Sequence, residues 1–188
     1  MKTFKKISPE NTPVAIQLAI EKAIELKADI VVSTTTGASA VMTAELASKM
    51  GYAGRIIAVT HVWGMKVSGE NELLEENRKK LEAAGVIIVT AAHALSGVER
   101  ALSGKFGGVY PVEIMAHTLR LFCQGVKVCV EMAAMVLDAG VIKEPAAIVT
   151  LGGTGEIGGL DTACVITPGY SARIFETRIH EILCKPYL

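Results

Sequence analysis

Four aliphatic runs, each closing on a hydroxyl residue and a short polar loop, constrain the fold of this chain more than any other feature. They are Ile30–Ser33, Arg55–Thr60, Val86–Thr90 and Ala146–Leu151. Runs rich in β-branched residues are typical of strands buried on both faces, and helical patterns lie between these four. The alternation predicts an α/β fold: a three-layer sandwich in which a mostly parallel sheet carries helices on both faces.

The loops after these strands predict a ligand site. Right-handed crossovers place the carboxyl ends of parallel strands along one edge, and ligands bind outside that edge in open α/β sheets. Two residues of a glycine-rich stretch, Lys105 and Gly107, are included because such a stretch is mobile or is ordered only around something bound. The candidate binding residues are Thr34, Thr35, Thr36, Gly37, Ala38, Ser39, Thr60, His61, His93, Lys105, Gly107, Gly152, Gly153, Thr154 and Gly155.

The loop from Thr34 to Ser39 has the character of an anion site. It joins a buried strand to the start of a helix, where backbone N–H groups lack intrahelical partners and the helix dipole favours negative charge. Gly37 allows the backbone to approach a phosphate closely. The alternative is that Thr36 simply caps the helix.

Other segments give weaker patterns. Residues 70–84 predict an exposed helix with Glu75–Lys79 and Glu76–Lys80 pairs, and residues 97–108 predict a loop that is mobile or ordered by a ligand. Residues 173–184 fit either a strand or a short helix. No linker is evident, so residues 1–188 are predicted to form one domain.

The motif Gly153-x-Gly155-x-x-Gly158 matches the dinucleotide-binding pattern but leads into another strand rather than a helix, which argues against a Rossmann site. His61 and His93 are either turn residues or groups that bind a ligand or transfer protons. Trp63 could stack on a flat ring, although a single tryptophan is more often a packing residue.

Composition excludes several classes of partner. Nineteen basic residues balance nineteen acidic ones, so no nucleic-acid or membrane-surface partner is expected. No apolar run is long enough to span a membrane and no signal peptide is evident. The four cysteines and four histidines lack metal-ligand spacing, so reduced thiols, a cytoplasmic location and no metal site are predicted. The long apolar stretch Val112–Leu137 suggests a homo-oligomer, although half of it could be core.

The stretch Ala28–Thr60, with Thr-Thr-Thr-Gly-Ala-Ser after its strand, resembles the C-terminal α/β domain of pyruvate kinase. The whole chain, including His-Ala-Leu-Ser-Gly at 93–97, resembles stand-alone archaeal and bacterial proteins related to that domain. This resemblance implies FMN as cofactor, with its phosphate on Thr34–Ser39. The equivalent kinase loop usually contains basic residues and this one has none, so Arg100 or Lys105 would supply the charge. The resemblance also implies that these 188 residues are not themselves a pyruvate kinase, because they include no catalytic barrel.

Two further functions remain open. The Ser-Thr-Thr-Thr-Gly turn also resembles sugar-isomerase loops, which would make the protein a phosphosugar enzyme with His93 or Glu113 as base. A regulatory or assembly module without a ligand is the other. Thus a phosphorylated small molecule is the expected partner, and whether the protein is an enzyme is undecided.

Overall fold

The computed structural model describes residues 1–155 and 159–187, and over these residues seven strands form one sheet in the order β1-β7-β6-β5-β2-β3-β4. Strands β5, β2, β3 and β4 form one side of the sheet, and β1, β7 and β6 form the other side. Their bounds are β1 Lys2–Phe4, β2 Ile30–Ser33, β3 Ile56–Thr60, β4 Ile87–Thr90, β5 Ile148–Gly153, β6 Leu160–Thr167 and β7 Arg178–Pro186.

In the part of the chain that the structure describes, six α-helices connect or cover the strands. Short 3-10 helices at Pro9–Asn11 and Ser171–Glu176 precede α1 and β7 respectively. Among the described residues, no helix has the length and apolar character needed to cross a membrane. The helices are α1 Thr12–Leu26, α2 Ala38–Lys49, α3 Glu75–Ala83, α4 Gly97–Phe106, α5 Pro111–Arg120 and α6 Gln124–Asp138.

The four strands predicted from the aliphatic runs are neighbours and parallel. β2 pairs with β3 on one side and with β5 on the other, and β4 extends the sheet beyond β3. β6 runs antiparallel to both β5 and β7, while the short β1 pairs in parallel with β7. The α/β fold with a mostly parallel sheet is therefore confirmed.

Two apolar cores lie on opposite faces of this sheet. Along β2, Ile30 and Val32 contribute to one core and Val31 to the other, because successive side chains of a strand point to opposite faces. The first core is closed by α1, α2 and Leu81 of α3. The second is closed mainly by α6. These are the three predicted layers.

In three segments the structure differs from the sequence prediction or decides between its alternatives. Residues 97–106 form helix α4, so the predicted loop is wrong over most of its length. Helix α3 begins at Glu75 instead of residue 70, and within it Lys79 Nζ lies 3.9 Å from a Glu75 oxygen, as predicted. The undecided tail forms a 3-10 helix followed by β7, because the sheet offers it two neighbouring strands to pair with.

Candidate ligand site

The chain reverses its direction of winding at β2. It builds the sheet outward through β2, β3 and β4, and then returns along α6 to place β5 on the other side of β2. The carboxyl ends of β2 and β5 are thus adjacent. In doubly wound sheets this is the switch point at which a crevice forms.

The loop after β2, which lies at this switch point, is held in shape by its own hydroxyls. The amide of buried Thr34 donates to Val59 O of β3 (2.9 Å), and Thr34 Oγ1 accepts from the amide of Gly37 (3.0 Å). Ser39 Oγ donates to Ser33 O (2.8 Å), which ties the far side of the loop to the strand. We refer to Thr34–Ser39 as the β2 loop.

Gly37 is required by both its conformation and its surroundings. Its φ of +96° lies in the region that favours glycine, and an added Cβ would lie 2.6 Å from Asn77 Cβ and 2.7 Å from Leu73 Cδ1. The carbonyl of Thr36 accepts from Leu74 N (3.2 Å) and Asn77 Nδ2 (2.9 Å), so the loop is fastened to the start of α3.

The amino terminus of α2 lies at the switch point and has no side-chain cap. Its N-cap is Gly37, without a side-chain cap, so the alternative that Thr36 caps the helix is wrong. The amide of Val41 makes the first intrahelical bond, to Gly37 O (2.9 Å), and the amides of residues 38–40 precede it without an intrahelical acceptor. Thr36 and Ala38 are exposed. This helix end can therefore accept an anion.

Hydroxyls and a histidine follow at the ends of β3 and β4. Thr60 Oγ1 and Thr90 Oγ1 are 2.6 Å apart, and Thr60 Oγ1 also donates to His61 O (3.0 Å). Asn71 Nδ2 donates to the same carbonyl (2.9 Å), so the His61 backbone is fixed from two directions.

The His61 ring is held by a carboxylate from the segment before α3. His61 Nδ1 lies 2.7 Å from Glu72 Oε2, and Lys66 Nζ lies 3.0 Å from Glu72 Oε1. Burial pushes the pKa of Glu72 upward, but the bonds from His61 and Lys66 outweigh it and leave the pKa below its ordinary value. Glu72 is therefore a carboxylate that orients the imidazole.

His93 lies beside His61, with ring centroids 5.6 Å apart and ring planes at 64°. Burial is the main cause that lowers the pKa of His93, and the charges of His61, Lys127 and Arg100 add to it while that of Glu131 opposes it. His93 is therefore held toward its neutral form, which can accept a proton.

A buried ion pair on α6 lies behind His93. Lys127 Nζ is 2.5 Å from Glu131 Oε2, and Glu131 Oε1 accepts from the amide of Leu95 (2.9 Å). Burial lowers the pKa of Lys127 against the opposing effect of Glu131. This pair is not among the site residues predicted from the sequence, although two charges spaced i,i+4 in an otherwise apolar helix are a visible signal.

The glycines at the end of β5 serve close packing of the backbone. A Cβ on Gly152 would lie 2.5 Å from Gly125 O of α6, and one on Gly153 would collide with Gly159 O. Thr154 Oγ1 donates to Asp161 Oδ2, and burial raises the pKa of Asp161 against that bond. Gly155 is exposed and has φ +78°.

Of the dinucleotide-type pattern, Gly158 lies outside the described residues. Leu160, which follows closely, begins β6, so a strand comes after the motif as predicted. Gly125 and Gly152 instead explain why α6 can lie so near the sheet.

The basic residues offered for the phosphate lie on helix α4. Arg100 is close enough for its charge to act on His93 and Lys127. Lys105 lies in the last turn of α4, with its Nζ 5.5 Å from the centroid of the Phe106 ring, and Gly107 ends that helix with φ +72°. Glu113, the other predicted base, accepts from Ser103 Oγ (2.6 Å) and from Tyr110 N (3.4 Å) in the capping box of α5.

Two further observations concern other possible sites in the described residues. A cleft lined by Val41, Ala44 and Leu81 lies between α2 and α3, and it includes none of the candidate binding residues. Within residues 1–155 and 159–187, no group of three or more His, Cys, Asp or Glu side chains is arranged to hold a metal ion.

A family model described as pyruvate kinase, alpha/beta domain, matches residues 14–166, from α1 almost to the end of β6. The chain belongs to this family. The matched region therefore includes the switch point and the neighbouring parallel strands β2, β3, β4 and β5, while β1 and β7 lie beyond the match.

A solved structure of NAD+ synthetase from Burkholderia pseudomallei is 17% identical and covers 79% of this chain, with a TM-score of 0.35. The alignment spans 55% of that protein's chain, about half its length. A likeness at this level carries no argument about the present domain.

Proposed function

We propose that this pyruvate kinase alpha/beta domain binds a phosphorylated small molecule at the switch point between β2 and β5, with FMN as its ligand. The observation that supports the proposal is the uncapped amino terminus of α2, which opens beside the ends of β3 and β5. FMN itself rests on the family resemblance.

The phosphate would be bound mainly by neutral donors. The amides of residues 38–40 and the exposed Thr36 lie at the helix end, where the dipole favours a dianion. The β2 loop contains no basic residue, and the positive charges that act on His93 include those of Lys127 and Arg100. Binding should therefore depend on the loop conformation more than on any one cation.

The ring system would occupy the crevice toward His61 and His93. Trp63 is exposed two residues beyond His61 and is the single tryptophan of the chain. Bound FMN would supply redox chemistry, while the protein residues described here would position it and exclude water. A planar ring near Trp63 would quench its fluorescence, which provides a direct signal of binding.

The test is a fluorescence titration of the purified protein with FMN and with riboflavin, which lacks the phosphate. We expect FMN to bind at least tenfold more tightly, and T36E to lose that preference while the uncharged T36Q keeps it. Equal affinity for the two flavins, or no quenching by either, would overturn the proposal.

A pair of glycine variants distinguishes an effect on the β2 loop from a general effect on helix α2. Gly37→Asp places a charge and a clashing Cβ at the start of α2, whereas Gly51→Asp places the same charge beyond its end, where no atom lies within 4 Å of the added Cβ. We expect G37D to abolish FMN binding and G51D to retain it. If phosphorylated compounds produce no shift in Tm, the domain is a module without a ligand.

Acid–base chemistry on the bound molecule is the second candidate, favoured by the His61–Glu72 hydrogen bond. A carboxylate on Nδ1 fixes the tautomer and leaves Nε2 as the group that exchanges a proton. Glu113 fits this role less well, because it caps α5.

This candidate predicts deuterium exchange at carbon next to the carbonyl of an aldose or ketose phosphate incubated with the protein in D2O. Glu72→Gln should slow the exchange at least tenfold, and Glu76→Gln, at an exposed position of α3, should not. Exchange no faster than in buffer, measured by NMR across the panel of sugars, would rule the activity out.

A further inference from the structure

Helix α4 packs on the protein through its polar side. Glu99 Oε2 accepts from the amide of Glu113 (2.9 Å), and Ser103 Oγ donates to Glu113 Oε1 (2.6 Å), so both bonds join α4 to the start of α5. No residue of α4 is buried. This is the reverse of an ordinary surface helix, which buries an apolar stripe and exposes its polar face.

The apolar stripe of α4 faces away from the rest of the chain. Val98, Leu102 and Phe106 follow one another at i,i+4 spacing and therefore share one face. Val98 is 80% exposed and Phe106 69%. A ten-residue helix has little stability of its own in water, so we expect its apolar stripe to be buried against another surface.

Exposed apolar side chains continue from α4 into α5. Val109 lies in the connection, Ile114 on α5, and Leu121 and Phe122 directly after it. Of the nineteen large apolar side chains that are exposed among the described residues, seven lie between positions 98 and 122. We call these seven residues the α4–α5 surface: Val98, Leu102, Phe106, Val109, Ile114, Leu121 and Phe122.

We propose that the α4–α5 surface is covered by the same surface of a second copy of this chain. The exposed fractions of its seven side chains correspond to roughly 800 Å², the area that each partner contributes to a standard protein–protein interface. A surface that pairs with itself forms a closed two-fold dimer and leaves no apolar stripe in solvent.

The charges around this surface favour a second copy over a lipid surface. Residues 97–122 carry Glu99 and Glu113 against Arg100, Lys105 and Arg120. A helix that lies on an anionic membrane carries many basic residues on its polar face, whereas the polar face of α4 includes Glu99 and Ser103. Near balance of charge allows two identical surfaces to meet without repulsion.

The other face of α5 is already occupied. Ala116 is buried, and Val112, Met115 and Leu119 pack with it against the core that α6 closes. The side of α5 that carries Ile114 is therefore the one left for a partner. The interface predicted from Val112–Leu137 is thus restricted to its first part, because residues 125–137 of α6 are core.

Association would also affect the site. Arg100 lies on α4, and its charge acts on His93 and Lys127. A partner that fixes α4 fixes Arg100 as well. The dimer proposal itself does not depend on a ligand, since it rests on α4 and α5 alone.

The test is the mass in solution by light scattering and sedimentation equilibrium at micromolar concentrations. We expect twice the chain mass for the wild type and the single chain mass for the double variant L102E/F106E. Because neither side chain is buried within the chain, the variant should keep its fold, checked by circular dichroism. The matched control is Phe175→Glu, at a site 82% exposed before β7, which should stay dimeric.

Three outcomes would overturn the proposal: a monomeric wild type, an L102E/F106E variant that keeps the wild-type mass, or binding of the wild type to anionic vesicles with no self-association. Hydrogen exchange provides a second measurement if the variant misfolds. The amides of α4 in the wild type should exchange at least tenfold more slowly at high than at low protein concentration, whereas exchange independent of concentration would contradict the dimer.

Discussion

Helix α6 has twelve of its fifteen residues buried, whereas α4, ten residues long and also carrying apolar residues at helical spacing, has none. Helix α6 lies on the sheet and closes one core, and it buries even Lys127 and Glu131. Helix α4 is joined to α5 through Glu99 and Ser103 and leaves its apolar stripe outside. The spacing of apolar residues therefore shows which face of a helix is apolar, but not whether that face packs against the same chain.

The largest expected effect breaks the buried ion pair of α6. Glu131→Ala leaves Lys127 buried without its partner and removes the acceptor of the Leu95 amide, so the free energy of unfolding should fall by about 3–5 kcal/mol. The double variant K127M/E131Q removes both charges but keeps an acceptor, and it should lose far less. Urea unfolding measures both, and equal losses would show that charge burial is not the cause.

Leucines on the two helices give a direct comparison. Leu137→Ala in α6 removes a side chain that is fully buried, and should cost about 2–5 kcal/mol in the free energy of unfolding. Leu102→Ala in α4 removes one that is exposed, and should cost under about 0.5 kcal/mol when measured at concentrations where the protein is monomeric. A similar loss in both variants would mean that α4 packs on its own chain.

The pH dependence of stability tests His93, on which charged residues of both helices act. The pKa of His93 is lowered in the folded protein, so between that value and the ordinary one of about 6.5 the unfolded chain binds a proton that the folded chain does not. Stability should therefore fall as the pH drops through this window. His93→Gln should reduce this loss of stability at low pH, whereas His180→Gln, at an exposed site, should not. Urea midpoints measured at several pH values test this, and an equal loss in both variants would contradict the assignment to His93.

The smallest effect compares the charges that the two helices direct at His93. Both Lys127 of α6 and Arg100 of α4 lower the pKa of His93, and Lys127 acts more strongly. Lys127→Met should therefore raise this pKa more than Arg100→Ala does. NMR titration of the imidazole protons measures both shifts, and the reverse order would mean that α4 lies closer to His93 than described.

Much of the fold could be predicted because its signals are local. The four aliphatic runs became neighbouring parallel strands, and the β2 loop lies at the end of the first of them. The character of residues 97–106 was predicted incorrectly, since Gly97 and Gly104 suggested a loop, whereas bonds from Glu99 and Ser103 to α5 accompany a helix. Those bonds join residues ten or more positions apart, which no local pattern contains.

The candidate site divides in the same way. Thr34–Ser39, Thr60 and His61 could be selected because each ends or directly follows an aliphatic run. Glu72 could not, because its role depends on a hydrogen bond to His61, eleven positions away in the chain. The Lys127–Glu131 pair was missed although its i,i+4 spacing within one helix is visible in the sequence. FMN, the oligomer and the location in the cell remain predictions, whereas membership of the pyruvate kinase alpha/beta domain family is established by the match over residues 14–166.

The sequence by itself determined the parallel strands and the glycine that opens the β2 loop, since strand burial and a positive φ both depend on residue type. Only the tertiary structure decided that β5 returns beside β2, that α6 buries a charged pair, and that α4 exposes its apolar stripe. The physical reason is that a residue becomes buried only when two surfaces pack against each other. The sequence determines how apolar each surface is, whereas the folded chain determines which surfaces pack together.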